Sequence, residues 1–220
     1  SVVALLWGLG CAQPSLAQSL PTGGTVASGN VSISSTSPTS LTISQSSRTG
    51  IVNWSSFSVG QGNQVQFNNG SGATLNRVTG NVPSSINGVL SATGSVYLVN
   101  PSGVVVGPSG EVKTGGSFVA STLDVKDAEF RAGGSLTFSG NSNASDVNLG
   151  KIGSSKGDVV LIARQVRNEG SLTARNGTAA MASGSDWPLG SLPSVSTVND
   201  ITDGRPWRCA ARTMPMASSA

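Results

Sequence analysis

The sequence predicts an all-β protein folded as a parallel β-helix, and three observations support this prediction. Gly, Ser, Thr, Asn and Val recur through the 220 residues, helix formers are scarce, and only 10% of residues are charged. Short apolar–polar–apolar triplets recur along the chain, and each is typical of a strand with one buried face. Glycine-led strand starts lie 22, 18 and 23 residues apart, which indicates a repeating unit.

The triplets alternate with tight-turn sequences. The triplets are Val31-Ser32-Ile33, Leu41-Thr42-Ile43, Val65-Gln66-Phe67, Leu136-Thr137-Phe138 and Leu172-Thr173-Ala174. The turn sequences include Asn68-Asn69-Gly70, Asn100-Pro101-Ser102-Gly103, Gly107-Pro108-Ser109-Gly110 and Asn176-Gly177. Because these residues favour tight bends or a positive φ, we expect short strands joined by frequent turns.

The spacing of the glycine-led starts distinguishes two all-β architectures. These starts are Gly94-Ser95-Val96, Gly116-Ser117-Phe118, Gly134-Ser135-Leu136 and Gly157-Asp158-Val159. A period near ~20 residues with no intervening helix fits one coil of a β-solenoid, in which each coil pairs in parallel with the one before it. A β-sandwich is the alternative, and it predicts strand spacings of about 8 to 12 residues. The observed spacing favours the solenoid.

Two polar segments interrupt the repeat. Asp124 to Arg131 concentrates charge, and we interpret it as a short helix or an exposed loop on the outside of a coil. Gly140 to Asp146 is polar and rich in turn residues, so we expect a loop that extends between strands.

The composition changes near both ends of the chain. The apolar run that opens it, followed by small residues up to Ala17, predicts a truncated signal peptide over residues 1–17, with a buried first strand or helix as the alternative. Residues 18–186 would form the folded domain. Residues 187–220 do not continue the repeat and are interpreted as an irregular tail, with disorder, a linker or a frameshift as the alternatives.

Charge and residue usage exclude several functions for this chain. The formal charge of +3 is spread without a Lys/Arg cluster, so nucleic-acid binding is not predicted. The chain has no histidine, which removes the commonest general base and metal ligand, and we predict no metal and no cofactor. Cys11 and Cys209 lie far apart and form no metal motif.

One family combines these features with a recognisable turn. Ile86 to Gly107 resembles the segment that marks two-partner secretion domains, the family of filamentous haemagglutinin, whose signature is Asn-Pro-Asn-Gly followed by an aliphatic residue. Asn100, Pro101, Gly103 and Val104 match that signature, and Ser102 replaces the second Asn. Three further segments resemble stereotyped family segments in the same order, namely Asn53 to Gly60, Leu75 to Gly80 and Ala120 to Asp124.

The resemblance implies a fold, a role and a partner. The fold is a right-handed parallel β-helix with short strands outside the helix. The role is to target a long adhesin- or haemolysin-type exoprotein for secretion from a Gram-negative bacterium through the periplasm, and to seed β-helix folding at the cell surface. The partner is an outer-membrane pore protein with periplasmic domains; a host-cell surface would be contacted by chain further downstream. The resemblance implies that the domain itself has no enzymatic activity, and we predict no stable membrane insertion.

The turn itself suits such a role on physical grounds. Pro101 presets φ at the second turn position, and Asn100 can cap the turn through its side chain. The turn joins two strongly β-prone runs, so little loop entropy is lost when they meet. A partner could also capture the extended segment by strand addition. We therefore assign Asn100, Pro101, Ser102, Gly103 and Val104 as the candidate recognition site, with a purely structural turn as the alternative.

Two alternative functions belong to other classes. A pectin-lyase-like enzyme would use carboxylates on one face of a β-helix, and Asp124, Asp127 and Glu129 are the close acidic group. A carbohydrate-binding adhesin would stack exposed aromatics on sugars, but Trp54, Phe57 and Tyr97 are predicted to lie in the core or at coil edges.

Overall fold

A computed structural model describes residues 20–184 and the backbone of residues 186–189. The predicted signal peptide over residues 1–17 lies outside the described residues. So does the predicted tail, apart from its first three residues.

The described chain is built almost entirely of short strands. They are β1 (Thr25–Ser28), β2 (Val31–Ser37), β3 (Ser40–Gln45), β4 (Thr49–Trp54), β5 (Gln64–Asn68), β6 (Ala73–Val78), β7 (Ser84–Ile86), β8 (Val89–Ala92), β9 (Ser95–Val99), β10 (Val104–Val106), β11 (Glu111–Thr114), β12 (Phe118–Ser121), β13 (Asp124–Val125), β14 (Leu136–Ser139), β15 (Ser145–Asn148), β16 (Lys151–Ser154), β17 (Val159–Ala163), β18 (Gln165–Asn168), β19 (Ser171–Ala174), β20 (Ala179–Ser183) and β21 (Asp186–Leu189). One helix, α1 (Asp127–Ala132), lies between β13 and β14. Helix α1 has only 6 residues, and the described residues include no helix that could span a membrane.

The strands form a parallel β-helix, as predicted, and this β-helix has three faces. Face 1 has the strand order β1-β4-β6-β9-β12-β17-β20, face 2 has the order β2-β3-β5-β8-β11-β16-β19, and face 3 has the order β7-β10-β15-β18. A full coil visits face 3, face 2 and face 1 in turn, as β7, β8 and β9 do. Most neighbours within a face pair in parallel, because each strand meets its counterpart from the next coil.

The core lies inside this prism and is made of aligned columns of aliphatic side chains. Along face 2 one column runs through successive coils in register: Leu41, Val65, Leu90, Val112, Ile152 and Leu172. Its first five members are 5% exposed or less. The inward positions alternate with outward polar ones, as the triplets predict for a strand with one buried face.

A small extra-helical unit, made of β13, α1, β14 and β21, covers the outside of face 1. Its three strands pair in antiparallel fashion in the order β13-β14-β21. Phe130, Leu136 and Phe138 from this unit pack with outward residues of face 1 in a second apolar cluster. Strands β12 and β17 are therefore buried along their whole length. The predicted short strands outside the helix are confirmed.

The extra-helical unit corrects one part of the predicted repeat. Gly134-Ser135-Leu136 leads into β14 and does not start a coil strand, since Phe118 pairs directly with Val159, 41 residues later. The spacings of 18 and 23 residues thus divide a single coil that carries an insertion. The apolar triplet at Leu136 misled the assignment because outer strands also bury one face.

The two polar segments that interrupt the repeat agree only in part with their predictions. The charged segment Asp124 to Arg131 holds a short helix on the outside of a coil, one of the two predicted alternatives, but the helix also buries Phe130. The loop predicted over Gly140 to Asp146 is shorter in the structure. Ser145 and Asp146 belong to β15, and Asp146 is 1% exposed.

The two ends of the β-helix differ. At the first end, β2 pairs with β3 and β1 pairs with β4, both in antiparallel fashion, so the triplet at Val31 closes the stack and does not add a parallel coil. At the other end, β18, β19 and β20 are the last strands of their faces. Val166, Leu172, Ala174 and Met181 point into the core there and are only partly buried.

Candidate functional site

The candidate turn forms the corner between face 1 and face 3, where the chain leaves β9 and enters β10. The Gly103 amide donates to the Asn100 carbonyl oxygen over 2.9 Å, which closes a four-residue turn. The Ser102 amide donates to Asn100 Oδ1, also over 2.9 Å. This side-chain cap is the one that the sequence predicts for an asparagine in the first turn position.

Asn100 is fully buried and ties neighbouring coils together. Its Nδ2 donates to the Val82 carbonyl oxygen at 3.0 Å and to Ser84 Oγ at 2.9 Å, both in the preceding coil. Its main-chain amide donates to the Ser121 carbonyl oxygen in the following coil at 2.9 Å. One residue therefore satisfies polar groups in three coils at a corner where the regular strand ladder is interrupted.

The middle of the turn faces outward. Pro101 is exposed and Ser102 is half-buried. The Pro101 carbonyl oxygen accepts a hydrogen bond from Ser142 Oγ at 2.6 Å, which attaches the 140–144 loop to the turn. Gly103 has a φ of +109°, and an added Cβ would lie 2.9 Å from the Ser145 carbonyl oxygen. Both the backbone conformation and the close approach of the next coil require glycine there.

Val104 points into the core, and its main-chain amide donates to Asp146 Oδ1 at 3.2 Å. Asp146 lies directly opposite Val104 in the next coil of face 3. Its other carboxylate oxygen is buried without a hydrogen-bond partner. Burial raises the pKa of Asp146 well above its ordinary value, although the main-chain groups of Val104 and Ile162 oppose that shift. Sequence reasoning missed this contact because Asp146 was assigned to an exposed loop.

The other segments that carry the family resemblance lie close together in neighbouring coils. Trp54 is buried, and its indole nitrogen donates to Asn76 Oδ1 at 3.0 Å. The strands that contain them, β4 and β6, pair in parallel on face 1. The third segment meets the turn itself, since Ser121 accepts the hydrogen bond from Asn100.

The acidic group considered for catalysis has a visible structural role. Arg77 Nε donates to the Asp124 carboxylate at 3.0 Å, and Arg77 Nη2 contacts Asp127 Oδ1 at 2.8 Å and the Val125 carbonyl oxygen at 2.9 Å. Glu129 Oε2 accepts a hydrogen bond from the Thr137 amide at 3.2 Å. These carboxylates attach the extra-helical unit to face 1 and brace its helix.

The three-faced β-helix has one capped end, an outer unit on face 1 and this corner turn, and these features define its class. The chain belongs to the TPS (two-partner secretion) domain family, the secretion domains of exported proteins. The family model matches residues 17–205.

Relatives and solved structures agree with this assignment. A heme/hemopexin-binding protein of Haemophilus influenzae (strain ATCC 51907 / DSM 11121 / KW20 / Rd) is 34% identical over 187 residues, which is 76% of this chain and 19% of that protein. The crystal structure of the HMW1 secretion domain from Haemophilus influenzae has 32% identity and a TM-score of 0.69, covering 76% of this chain and 45% of that one.

A more distant structure agrees in fold alone. The crystal structure of the filamentous hemagglutinin secretion domain has 15% identity and a TM-score of 0.52, covering 76% of this chain and 65% of that one. The chain spans about a fifth of the length of the curated relative described above.

The contacts of Asn100 generate a stability prediction. Asn100→Ala removes the side-chain cap and leaves the Val82 carbonyl oxygen and Ser84 hydroxyl without their donor, so we expect a loss of about 1–3 kcal/mol in the free energy of unfolding. Urea denaturation monitored by circular dichroism would measure it. Pro101→Ala, at an exposed position, serves as the control and should cost about 1 kcal/mol or less. Equal losses in the two variants would contradict the assigned role of Asn100.

The buried Asp146 carboxyl generates a prediction about pH. Its pKa is raised in the folded state, so the folded protein binds the proton more tightly than the unfolded chain. Its contribution is fully present below the ordinary carboxyl pKa near ~4 and is lost as pH rises through the folded-state pKa, with a slope of up to about 1.4 kcal/mol per pH unit.

Asp146→Asn should remove that slope. The variant should match the wild type in acid and exceed its thermal midpoint at neutral and alkaline pH, as measured by melting curves across a pH series. Asp158→Asn, at a partly exposed carboxyl on the same coil, is the control. Parallel stability–pH curves for wild type and Asp146→Asn would contradict the prediction.

Proposed function

We propose that this domain targets a large exported protein for secretion by binding the periplasmic domains of a cognate outer-membrane pore, and that it then seeds β-helix folding at the cell surface. The observation that carries the first part is the corner turn at Asn100 to Val104. It presents an exposed Pro101 on a turn that Asn100 locks from within, and it occupies the position of the family signature. We assign the recognition role to Asn100, Pro101, Ser102, Gly103 and Val104.

The asymmetry of the two ends supports the second part of the proposal. Antiparallel β1 and β2 close the first end of the stack, whereas β18, β19 and β20 end it with parallel strands. The terminal layer has partly buried Leu172 where the previous coil has Ile152 at 2% exposure. A following coil would pair with these strands and complete the burial of this layer, which is how a solenoid propagates from one repeat to the next.

The domain acts without enzymatic activity in this proposal. Asp124 and Asp127 share one guanidinium and hold the extra-helical unit in place, which supports a structural role for the acidic group. The passage of the chain through the periplasm to the surface of a Gram-negative bacterium follows from binding the pore. Contacts of the complete exoprotein with host molecules would belong to chain outside the matched region.

The amount of protein exported through the pore tests whether the Asn100 to Val104 turn has a recognition role. In cells that carry the cognate pore, replacing both Asn100 and Pro101 with Ala should abolish secretion of the full chain into the medium, as measured by immunoblot. Pro101→Ala alone should reduce secretion while leaving the fold intact, since Pro101 is exposed.

The neighbouring corner of the same coil offers a matched control. Pro108 is also exposed and lies in an equivalent turn, in which the Gly110 amide donates to the Gly107 carbonyl oxygen at 2.8 Å. Pro108→Ala should secrete as the wild type does. Undiminished export of the Asn100/Pro101 double variant would overturn the assignment of this turn to recognition.

The open end predicts the effect of a charge on the seeding step. Leu172→Asp places a carboxylate where the next coil must pack, so the secreted full-length protein should lose protease resistance downstream of this domain, while the domain itself stays folded. Thr173→Asp is the matched control, since Thr173 is exposed on the outer side of the same strand. Limited proteolysis, followed by immunoblots with one antibody to this domain and one to the downstream chain, would measure the protease resistance of each part in both variants. Equal downstream resistance in both variants would argue against seeding.

A further inference from the structure

Val82 is an exposed apolar residue, whereas most large hydrophobic side chains in the described part of the chain are buried or partly buried. Among the described residues, the exposed large hydrophobics are Val82, at 60% relative exposure, and Val26, at 39%. Val26 lies on β1 at the capped end. Val82 instead lies in the loop between β6 and β7, one coil before the Asn100 turn.

The candidate turn fixes the position of Val82. Asn100 Nδ2 donates to the Val82 carbonyl oxygen at 3.0 Å, and the Ser84 amide donates to the Gly103 carbonyl oxygen at 2.9 Å. At the start of the loop, the main-chain amide and the hydroxyl of Thr79 both donate to the Trp54 carbonyl oxygen, at 2.8 and 3.0 Å. The loop is therefore anchored on both sides of its exposed valine.

Proline stiffens the same surface. Pro83 follows Val82 and is exposed, as is Pro101 in the adjacent coil. Proline fixes φ, so the surface loses little conformational entropy when it is bound. We call the surface formed by Val82, Pro83, Pro101 and Ser102 the corner ridge.

The corner ridge carries no charge. Residues 79–84 and 100–105 contain no Asp, Glu, Lys or Arg. The nearest basic residue along the chain, Arg77, is engaged with Asp124 and Asp127 on face 1. A partner that binds the ridge gains nothing from opposite charge, and the surface fits an uncharged apolar pocket whose rim hydrogen-bonds to main-chain groups.

We propose that the corner ridge is the contact surface for the periplasmic domains of the cognate pore, with Val82 as its apolar anchor and Asn100 as a positioning residue. This inference rests on the proposed secretion function and deepens it. Val82 inserts into an apolar pocket of the partner, and Asn100 acts from the interior by holding the Val82 carbonyl group and the Pro101 turn in one arrangement. Because the Val82 loop and the Pro101 turn are held in one arrangement before binding, burying Val82 against the partner costs little ordering of the chain.

Binding of the intact domain to the purified periplasmic domains of the cognate pore tests this inference. Val82→Asp should weaken that binding about tenfold or more, because an aspartate in an apolar pocket is desolvated without a partner. Its thermal midpoint should match the wild type, since Val82 is exposed. Val26→Asp, the same change at the capped end, should bind as the wild type does. Val82→Thr, which keeps the shape of valine, provides a second variant should the aspartate disturb folding, and it should also weaken binding.

The outcomes separate the inference from the proposed function. If Pro101→Ala weakens binding but both Val82 variants bind normally, the partner contacts the turn alone; the proposal that Val82 anchors a ridge across two coils is then overturned, and the secretion function stands. If Val82→Asp and Val26→Asp weaken binding equally, the added negative charge explains the loss, and the assignment of Val82 as the anchor is overturned. If the wild-type domain does not bind the periplasmic domains, the proposed function fails together with the inference.

Discussion

The fold depends on satisfying main-chain polar groups at the corners of the β-helix. Along each face, the parallel ladder pairs amides and carbonyls from coil to coil, but at a corner the chain turns and the ladder stops. Buried amide side chains complete the pairing there. Asn100 does so between faces 1 and 3, and Asn69 between faces 2 and 1, where it bonds to Thr74, Gly94 and Ser95. These polar residues cost little because each one is satisfied.

Face 1 differs from the other faces because it has apolar residues on both sides. Its inner side contributes to the core of the prism, and its outer side meets the extra-helical unit. Arg77 holds the start of that unit, and Arg48 Nη2 donates to the Arg131 carbonyl oxygen at 3.0 Å near the end of α1. The long insertion between β12 and β15 therefore adds a second apolar cluster without breaking the register of Phe118 with Val159.

The sequence predicts what is local in this structure and misses what depends on the coil above or below. The turn at Asn100 to Gly103 and the alternating strands follow from residue preferences within a few positions. The same preferences leave a short helix and an exposed loop as alternatives for Asp124 to Arg131. The position of Leu136 does not follow from such local preferences, because a strand of the outer sheet and a strand of a coil show the same alternation of apolar and polar residues. Asp146 was misplaced for a related reason: a polar residue in a Ser/Asn-rich run reads as a loop, and only Val104 in the preceding coil shows where its carboxylate is held.

In the proposed function, the corner turn serves both stability and recognition, and the burial of its residues separates the two tasks. Asn100 and Val104 face inward and serve the stack, whereas Pro101 faces outward and is available to a partner. The same division explains why a structural turn and a recognition site are not competing interpretations of this motif. A surface read by a secretion partner must be presented in one conformation, and the buried amide of Asn100 supplies that constraint. Because the amide spans three coils, the surface is complete only when those coils have stacked.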